Sequence, residues 1–205
     1  EYPIPVGTYG NFSFVQAPPK TKKTFFISLI ASVYLSDQNH FGGDLKGHRK
    51  GKQLIHFDTE QGKWHCQRVF KRVAEMAGTS DGYLTYGLRR IGHKDRINFI
   101  DYCLEHKAEN KSLLIIDGIA DLCSDVNNIE ESNYVVQKLM TWTSELNCHI
   151  VTVIHSNFGS DKATGHLGSF LYKKTETAIS LEANTANKGN VTVSCKMSRN
   201  SPFET

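Results

Sequence analysis

Two hydrophobic rhythms alternate along this chain: short unbroken apolar runs, and longer segments in which apolar residues return every three or four positions. The first is the pattern of buried strands, the second that of amphipathic helices. Residues 12–16 predict a first strand and residues 24–35 a first helix. Residues 53–57 predict a second strand, ending at Asp58-Thr59-Glu60-Gln61. A helix over about 63–76 follows, with Trp64, Val69, Val73 and Met76 near helical spacing and Gly78 as its stop. Residues 83–86 suggest a short strand, and 94–107 an amphipathic helix carrying Ile97, Ile100 and Leu104. The run Ser112-Leu-Leu-Ile-Ile-Asp117 is apolar throughout and closed by an acid, as in a buried parallel strand that delivers a carboxylate to its carboxyl end. A helix over 129–146, a buried strand over 149–154 ending at His155, and strands over 177–181 and 190–195 complete the series.

The remaining stretches are polar. Residues 1–10, with Pro3, Pro5, Gly7 and Gly10, read as an arm or linker, leaving 11–205 as the folded domain. Residues 37–52 hold four glycines and the basic cluster Lys46, His48, Arg49, Lys50 and Lys52, which reads as a solvated, flexible connection. Residues 159–174 read as a polar stretch with three glycines. Strands alternating with helices predict a layered α/β fold with a mostly parallel sheet.

Composition narrows the class. At 205 residues the chain is long enough for one domain with a substantial core. Hydrophobic content of 39% and charged content of 22% exclude an intrinsically disordered protein. A formal charge of +3 permits a nucleic-acid partner without demanding one. The five cysteines are scattered without a close pair, which argues against a disulfide framework or a zinc site and for a cytoplasmic protein with reduced thiols. No apolar run approaches membrane length, so no membrane partner is expected.

In parallel α/β sheets ligands gather at the carboxyl ends of the strands. Four predicted strand ends carry chemistry here. After the first strand, Ala17-Pro-Pro-Lys20-Thr21-Lys22-Lys23-Thr24 opens the first helix, and it places three lysines within four residues. Its layout is that of a phosphate-binding loop, Gly, four residues, Gly, Lys, Ser/Thr, with both glycines replaced. Backbone N–H groups at a helix N-terminus hold phosphate, and none of residues 20–24 is proline. The plain alternative for this segment is a lysine-rich solvated turn. The other three ends carry Asp58 with Glu60, Asp117, and His155. Singly, these read as a first-turn acid, a turn cap and a structural histidine.

Taken together, the order of these segments resembles that of the RecA-like ATPases, in particular the hexameric replicative helicases and plasmid-replication helicases. Residues 12–35 are similar to their Walker A region in degenerate form. Phe57-Asp-Thr-Glu60 resembles the strand end that bears their catalytic glutamate, and Leu113 to Leu122 their Walker B strand. Val153 to Asn157 resembles the strand end that senses the γ-phosphate. Lys196-Met-Ser-Arg199 resembles the late Lys-x-Arg segment that reaches a neighbouring subunit's nucleotide, with one extra residue between the basic pair. Residues 165–169 fall where that family places a DNA-contacting loop.

The resemblance implies a three-layer α/β/α RecA-like P-loop fold, with ATP and Mg²⁺ as ligands. Lys20, Thr21, Lys22, Lys23 and Thr24 would bind the nucleotide, with Lys23 on the β- and γ-phosphates; Thr24 and Asp117 would hold the metal. Glu60 would activate the attacking water and His155 would sense the γ-phosphate. Lys196 or Arg199 would stabilise charge in trans, which requires a homo-oligomer, a hexamer by analogy. The implied function is a DNA-dependent ATPase or helicase-type protein acting on single-stranded DNA in replication or mobilisation of a plasmid or transposable element. A catalytically degraded relative, binding DNA or serving assembly without hydrolysis, is the alternative.

Overall fold

Strand and helix alternate as the two rhythms require. The structure, a computed structural model, describes residues 3–40, 45–157, 162–184, 187 and 189–203. In chain order the elements are β1 (Phe12–Ala17), α1 (Lys23–Ser36), the short strands β2 (Asn39–His40) and β3 (Leu45–Lys46), β4 (Gln53–Asp58), α2 (Lys63–Ala77), β5 (Tyr83–Gly87) and α3 (His93–His106). There follow β6 (Lys111–Asp117), a 3-10 turn (Ile119–Leu122), α4 (Ile129–Leu146), β7 (His149–His155), α5 (Gly165–Lys174), β8 (Thr177–Ala183) and β9 (Val191–Ser198). These divide between two compact units, one of Glu1–Lys23 with Gly118–Thr205, the other of Thr24–Asp117.

In the 24–117 unit, β4 lies between β5 and β6 and pairs with both in parallel. Leu113, Leu114, Ile115 and Ile116 of β6 are all buried, which accounts for a strand without polar alternation. Helix α2 buries Cys66, Val69 and Val73 and ends at Gly78, whose φ of 69° places it in the left-handed conformation that glycine adopts freely. This corrects the expected inward face of that helix. Trp64 stands about 200° round the helix from Cys66 and is 60% exposed, while Met76 on the flank is also exposed. Helix α3 buries Ile97, Ile100 and Leu104 as its spacing predicts.

A second correction concerns the basic segment before β4. Arg49 is buried rather than solvated, because its guanidinium donates to the carbonyls of Leu35 (3.1 Å) and Lys52 (2.7 Å) and to Asp81 Oδ2 (2.9 Å). The carboxylate of Asp37 accepts the amides of Arg49 and Lys50 at 2.8 and 3.0 Å. Gly42 and Gly43 of that segment lie outside the described residues.

In the other unit, β1 pairs in parallel with β7 and with β8, and β9 runs antiparallel to β8. The sheet strands are therefore mostly parallel, as expected. The N-terminal arm is tied to this unit. Thr8 donates from its amide and hydroxyl to the buried Glu176 carboxylate, both at 2.8 Å, and Gly7 lies so close to the His149 ring that an added Cβ would meet Nε2 at 2.5 Å. Residues 165–169, expected as a loop, are the first half of α5. Their glycines serve packing rather than looseness: a Cβ at Gly165 would meet the Val126 carbonyl at 2.6 Å, and one at Gly168 the Ala163 backbone at 2.6 Å. Residues 158–161, part of the expected polar stretch, lie outside the described residues. No helix among the described residues is long and apolar enough to cross a membrane.

Candidate functional site

Parallel pairing brings the carboxyl end of β1 beside that of β7, with Ala17 in register with His155 and the Ser156 amide donating to the Ala17 carbonyl at 3.1 Å. From Ala17 the chain turns through residues 18–22 into α1. Lys20 and Lys22 both adopt left-handed φ, 66° and 60°, in the positions of a tight turn where glycine is the usual residue. The turn is held from inside: the Thr21 hydroxyl donates to the Pro18 carbonyl at 2.6 Å, and Thr21 is buried. Among the described residues the amides of Lys20, Thr21 and Lys22 bond to no protein acceptor. Unpaired successive amides around left-handed residues form a concavity of positive potential, suited to an anion.

Lys23 is buried within this turn. Its ammonium donates to the carbonyls of Pro18 (3.0 Å) and Ala17 (3.4 Å) and lies 3.2 Å from Nδ1 of His155. An ammonium has no acceptor, so His155 receives that bond on Nδ1 and carries its proton on Nε2. The His155 carbonyl in turn accepts from the amide (3.0 Å) and hydroxyl (2.7 Å) of Thr164, the residue that starts α5. The side chain of Lys22 donates to the carbonyl of Gly189, in the turn between β8 and β9. Further along, Lys196 pairs with Glu182 at 3.3 Å, and Arg199 donates to the Lys174 carbonyl at 3.0 Å. Both basic side chains thus rest on groups of their own chain.

The 24–117 unit holds the carboxylates. Asp58 and Asp117 end adjacent parallel strands in register, and both are buried. Thr59 donates to the Asp117 carbonyl from its amide at 3.1 Å and its hydroxyl at 3.0 Å. Asp58 Oδ1 accepts the amides of Glu60 (3.1 Å) and Gln61 (2.8 Å), an Asx-turn that fixes the loop, while the Glu60 side chain is exposed. Burial raises the Asp58 carboxyl above its usual range against the pull of those two amides, and the nearby Glu60 charge adds to the rise. The Cys66 thiol beside it is pushed up to about 12 by burial and by the Asp58 charge.

Asp58, paired with Glu60 in the sequence as a strand end carrying chemistry, orients the Glu60 turn, as the Asx-turn propensity of Asp-Thr-Glu-Gln favours. One positioning residue was not singled out by sequence reasoning. Arg72 of α2 donates to Ser28 Oγ at 2.8 Å and to the Thr24 carbonyl at 3.3 Å, bracing the first turn of α1. Nothing local to α2 announces that contact.

Thr24 and Asp117 offer hard oxygen donors, one hydroxyl and one buried carboxylate, of the kind Mg²⁺ accepts when phosphate oxygens and waters complete its shell. The donor chemistry fits. No cluster of three or more His, Cys, Asp or Glu suited to holding a metal by protein ligands alone occurs among the described residues.

No protein-family model matches the chain, and no curated protein matches it in sequence. Among solved structures, the crystal structure of the RadB recombinase is similar with a TM-score of 0.62 at 15% sequence identity, covering 94% of this chain and 83% of that one. Likeness at this identity speaks to architecture. The fold of this chain is the RecA-like α/β fold with a mostly parallel sheet.

Proposed function

We propose that the protein is a RecA-like ATP-binding domain that hydrolyses ATP with Mg²⁺ and couples turnover to single-stranded DNA as a homo-oligomer. The observation that supports it best is the turn at Lys20 to Lys22. Left-handed lysines expose consecutive amides beside a buried lysine, at the start of a helix that follows a parallel strand. Such a backbone suits a phosphate, in the manner of a cradle whose glycines have been replaced.

In this reading the amides of residues 20–22 receive phosphate oxygens, and Lys23 exchanges the carbonyls of Ala17 and Pro18 for the β- and γ-phosphates. Thr24 and Asp117 would hold a magnesium ion, which would supply positive charge to the transferring phosphoryl group. Glu60, presented by the Asp58-held turn, orients or deprotonates the attacking water. His155 loses its Lys23 donor when the lysine moves, and its carbonyl link to Thr164 passes that change to α5. Lys196 or Arg199 supplies positive charge to a neighbouring copy's nucleotide. A role on a plasmid or transposable element rests on the sequence resemblance alone.

The alternative, a DNA-binding or assembly module without hydrolysis, draws support from the same lysine. Lys23 already donates to the carbonyls of Ala17 and Pro18 and lies against His155, so phosphate must compete with those contacts.

Calorimetry with a non-hydrolysable ATP analogue and Mg²⁺ separates the two. We expect binding to the wild type, its loss in Lys23→Ala, and in Glu60→Gln retained binding with suppressed DNA-stimulated phosphate release. Absence of affinity for the wild type at millimolar nucleotide refutes the ATPase reading, whereas binding without phosphate release favours the alternative.

A further inference from the structure

We propose that the outward face of α2, together with Phe25, is a docking surface for single-stranded nucleic acid. Trp64 and Phe25 are the two most exposed large apolar side chains among the described residues, at 60% and 58%. Each ring carries a guanidinium on it: Arg68 Cζ lies 4.7 Å from the Trp64 centroid and Arg72 Cζ 3.9 Å from that of Phe25. Trp64, Arg68 and Arg72 follow at four-residue steps, so they form one stripe along about 12 Å of helix. The result is a stripe with two adjacent guanidinium groups at its centre and an aromatic ring at either end.

The charge of this face is only partly compensated. Helix α2 carries Lys63, Arg68, Lys71 and Arg72 against the single acid Glu75, which is engaged by Lys71 at 3.6 Å. Arg68 pairs with no carboxylate among the described residues. Partial burial, and then the neighbouring Arg68 charge, lower the basicity of Arg72, which marks two like charges held close together. Arg89 adds a further cation at the helix start, where a Cβ on Gly62 would lie 3.6 Å from its Nη1. Phe25 is also pre-organised, because Arg72 is fixed to Ser28 and Thr24 beneath it.

A partner for such a face must be anionic and must present flat π-surfaces at short intervals. Single-stranded nucleic acid does both: bases stack on aromatic rings while guanidinium groups take the phosphates. At about 3.4 Å per nucleotide along one strand, 12 Å accommodates roughly three nucleotides. Recognition of this kind tolerates any sequence, since every base has a π-face. The inference does not rest on nucleotide binding by the 20–24 turn, and it is tested on nucleotide-free protein.

Fluorescence anisotropy with an oligothymidylate of about 20 nucleotides, titrated at several salt concentrations, provides the test. Trp64→Ala and Arg68→Ala should each weaken binding about tenfold, within the range for loss of one stacked base or one phosphate contact. Arg68→Ala should also reduce the slope of log affinity against log salt by about 0.7, whereas Arg68→Lys preserves the slope. Trp64 emission should be quenched on binding, with the buried Trp142 unaffected. Wild-type affinity and salt slope in both alanine variants overturn the proposal. So does light scattering in which those variants lose a self-associated species and their affinity follows that mass, because the face would then join copies of this chain.

Discussion

The ammonium of Lys23 lies 3.2 Å from Nδ1 of His155, joining the end of the turn that follows β1 to the end of β7. This contact makes the lysine's position legible to the histidine. With Lys23 in its present place His155 is a neutral acceptor at Nδ1; once the lysine leaves for an anion, that lone pair needs another donor. His155→Ala should therefore leave nucleotide affinity within about threefold of wild type while DNA-stimulated phosphate release falls by about tenfold or more, in line with one lost positioning contact. Unchanged stimulation in that variant shows that the contact relays nothing.

The left-handed lysines make a second expectation. A non-glycine residue in that conformation costs about 1–2 kcal/mol, and glycine in the unfolded chain returns about 0.4–1 kcal/mol of that as entropy. Lys22→Gly should thus stabilise the protein by about 0.5–1 kcal/mol, which for a chain of this size raises Tm by roughly 1–4 °C. Lys22 also forfeits an exposed contact with Gly189, which is worth little. A lower melting temperature in differential scanning calorimetry contradicts the strain argument.

Acid should weaken the 24–117 unit through His56. This histidine is fully buried in β4, its Nδ1 2.9 Å from the Tyr83 hydroxyl, and burial lowers its pKa to about 3 from 6.5. It stays neutral when folded but takes a proton when unfolded below about pH 6.5, so the unfolded state binds more protons between pH 6.5 and 3. Stability is then flat above that window and falls as pH drops through it, by about 2 kcal/mol at pH 5 from this group. Urea midpoints at pH 7 and pH 5 measure the slope, and His56→Phe should remove most of it. His149, lowered chiefly by burial despite the nearby Glu176, adds a residual slope of the same sign. A slope in His56→Phe equal to that of wild type rules out His56 as its source.

Thiol reactivity should be selective. Burial and, after it, neighbouring carboxylates push Cys66 and Cys123 up to about 12, and both are sequestered, whereas Cys195 is half-buried on β9. Iodoacetamide at pH 8 should modify Cys195 first and leave Cys66 and Cys123 intact in the native protein, as read by peptide mass spectrometry. Labelling of Cys66 at the rate of Cys195 indicates that the Asp58 turn opens.

Much of the architecture follows from the order of residues alone. The apolar run before Asp117, the helical spacing of Ile97, Ile100 and Leu104, and the Asn128-capped helix from Ile129 to Leu146 are local patterns. Periodicity and capping act within a few residues, so they can be read without knowing what lies opposite. Asp58, Glu60, Asp117 and His155 likewise mark strand ends because the apolar runs stop there.

Tertiary contacts decided the rest. Gly165 and Gly168 suggested a loop, yet they lie in α5, where the close approach of the Val126 and Ala163 backbones leaves no room for a side chain. Trp64 fits a helical spacing, but the stripe that packs is set by Cys66, and this turns the indole outward. Arg49 looks like one basic residue among several until Leu35, Lys52 and Asp81 converge on it. The left-handed turn at Lys20 and Lys22 contradicts local preference outright. Contacts within the turn hold it, the Thr21 hydroxyl on the Pro18 carbonyl and the Lys23 ammonium on the carbonyls of Ala17 and Pro18, and such contacts can outweigh a backbone cost of about one or two kcal/mol per residue.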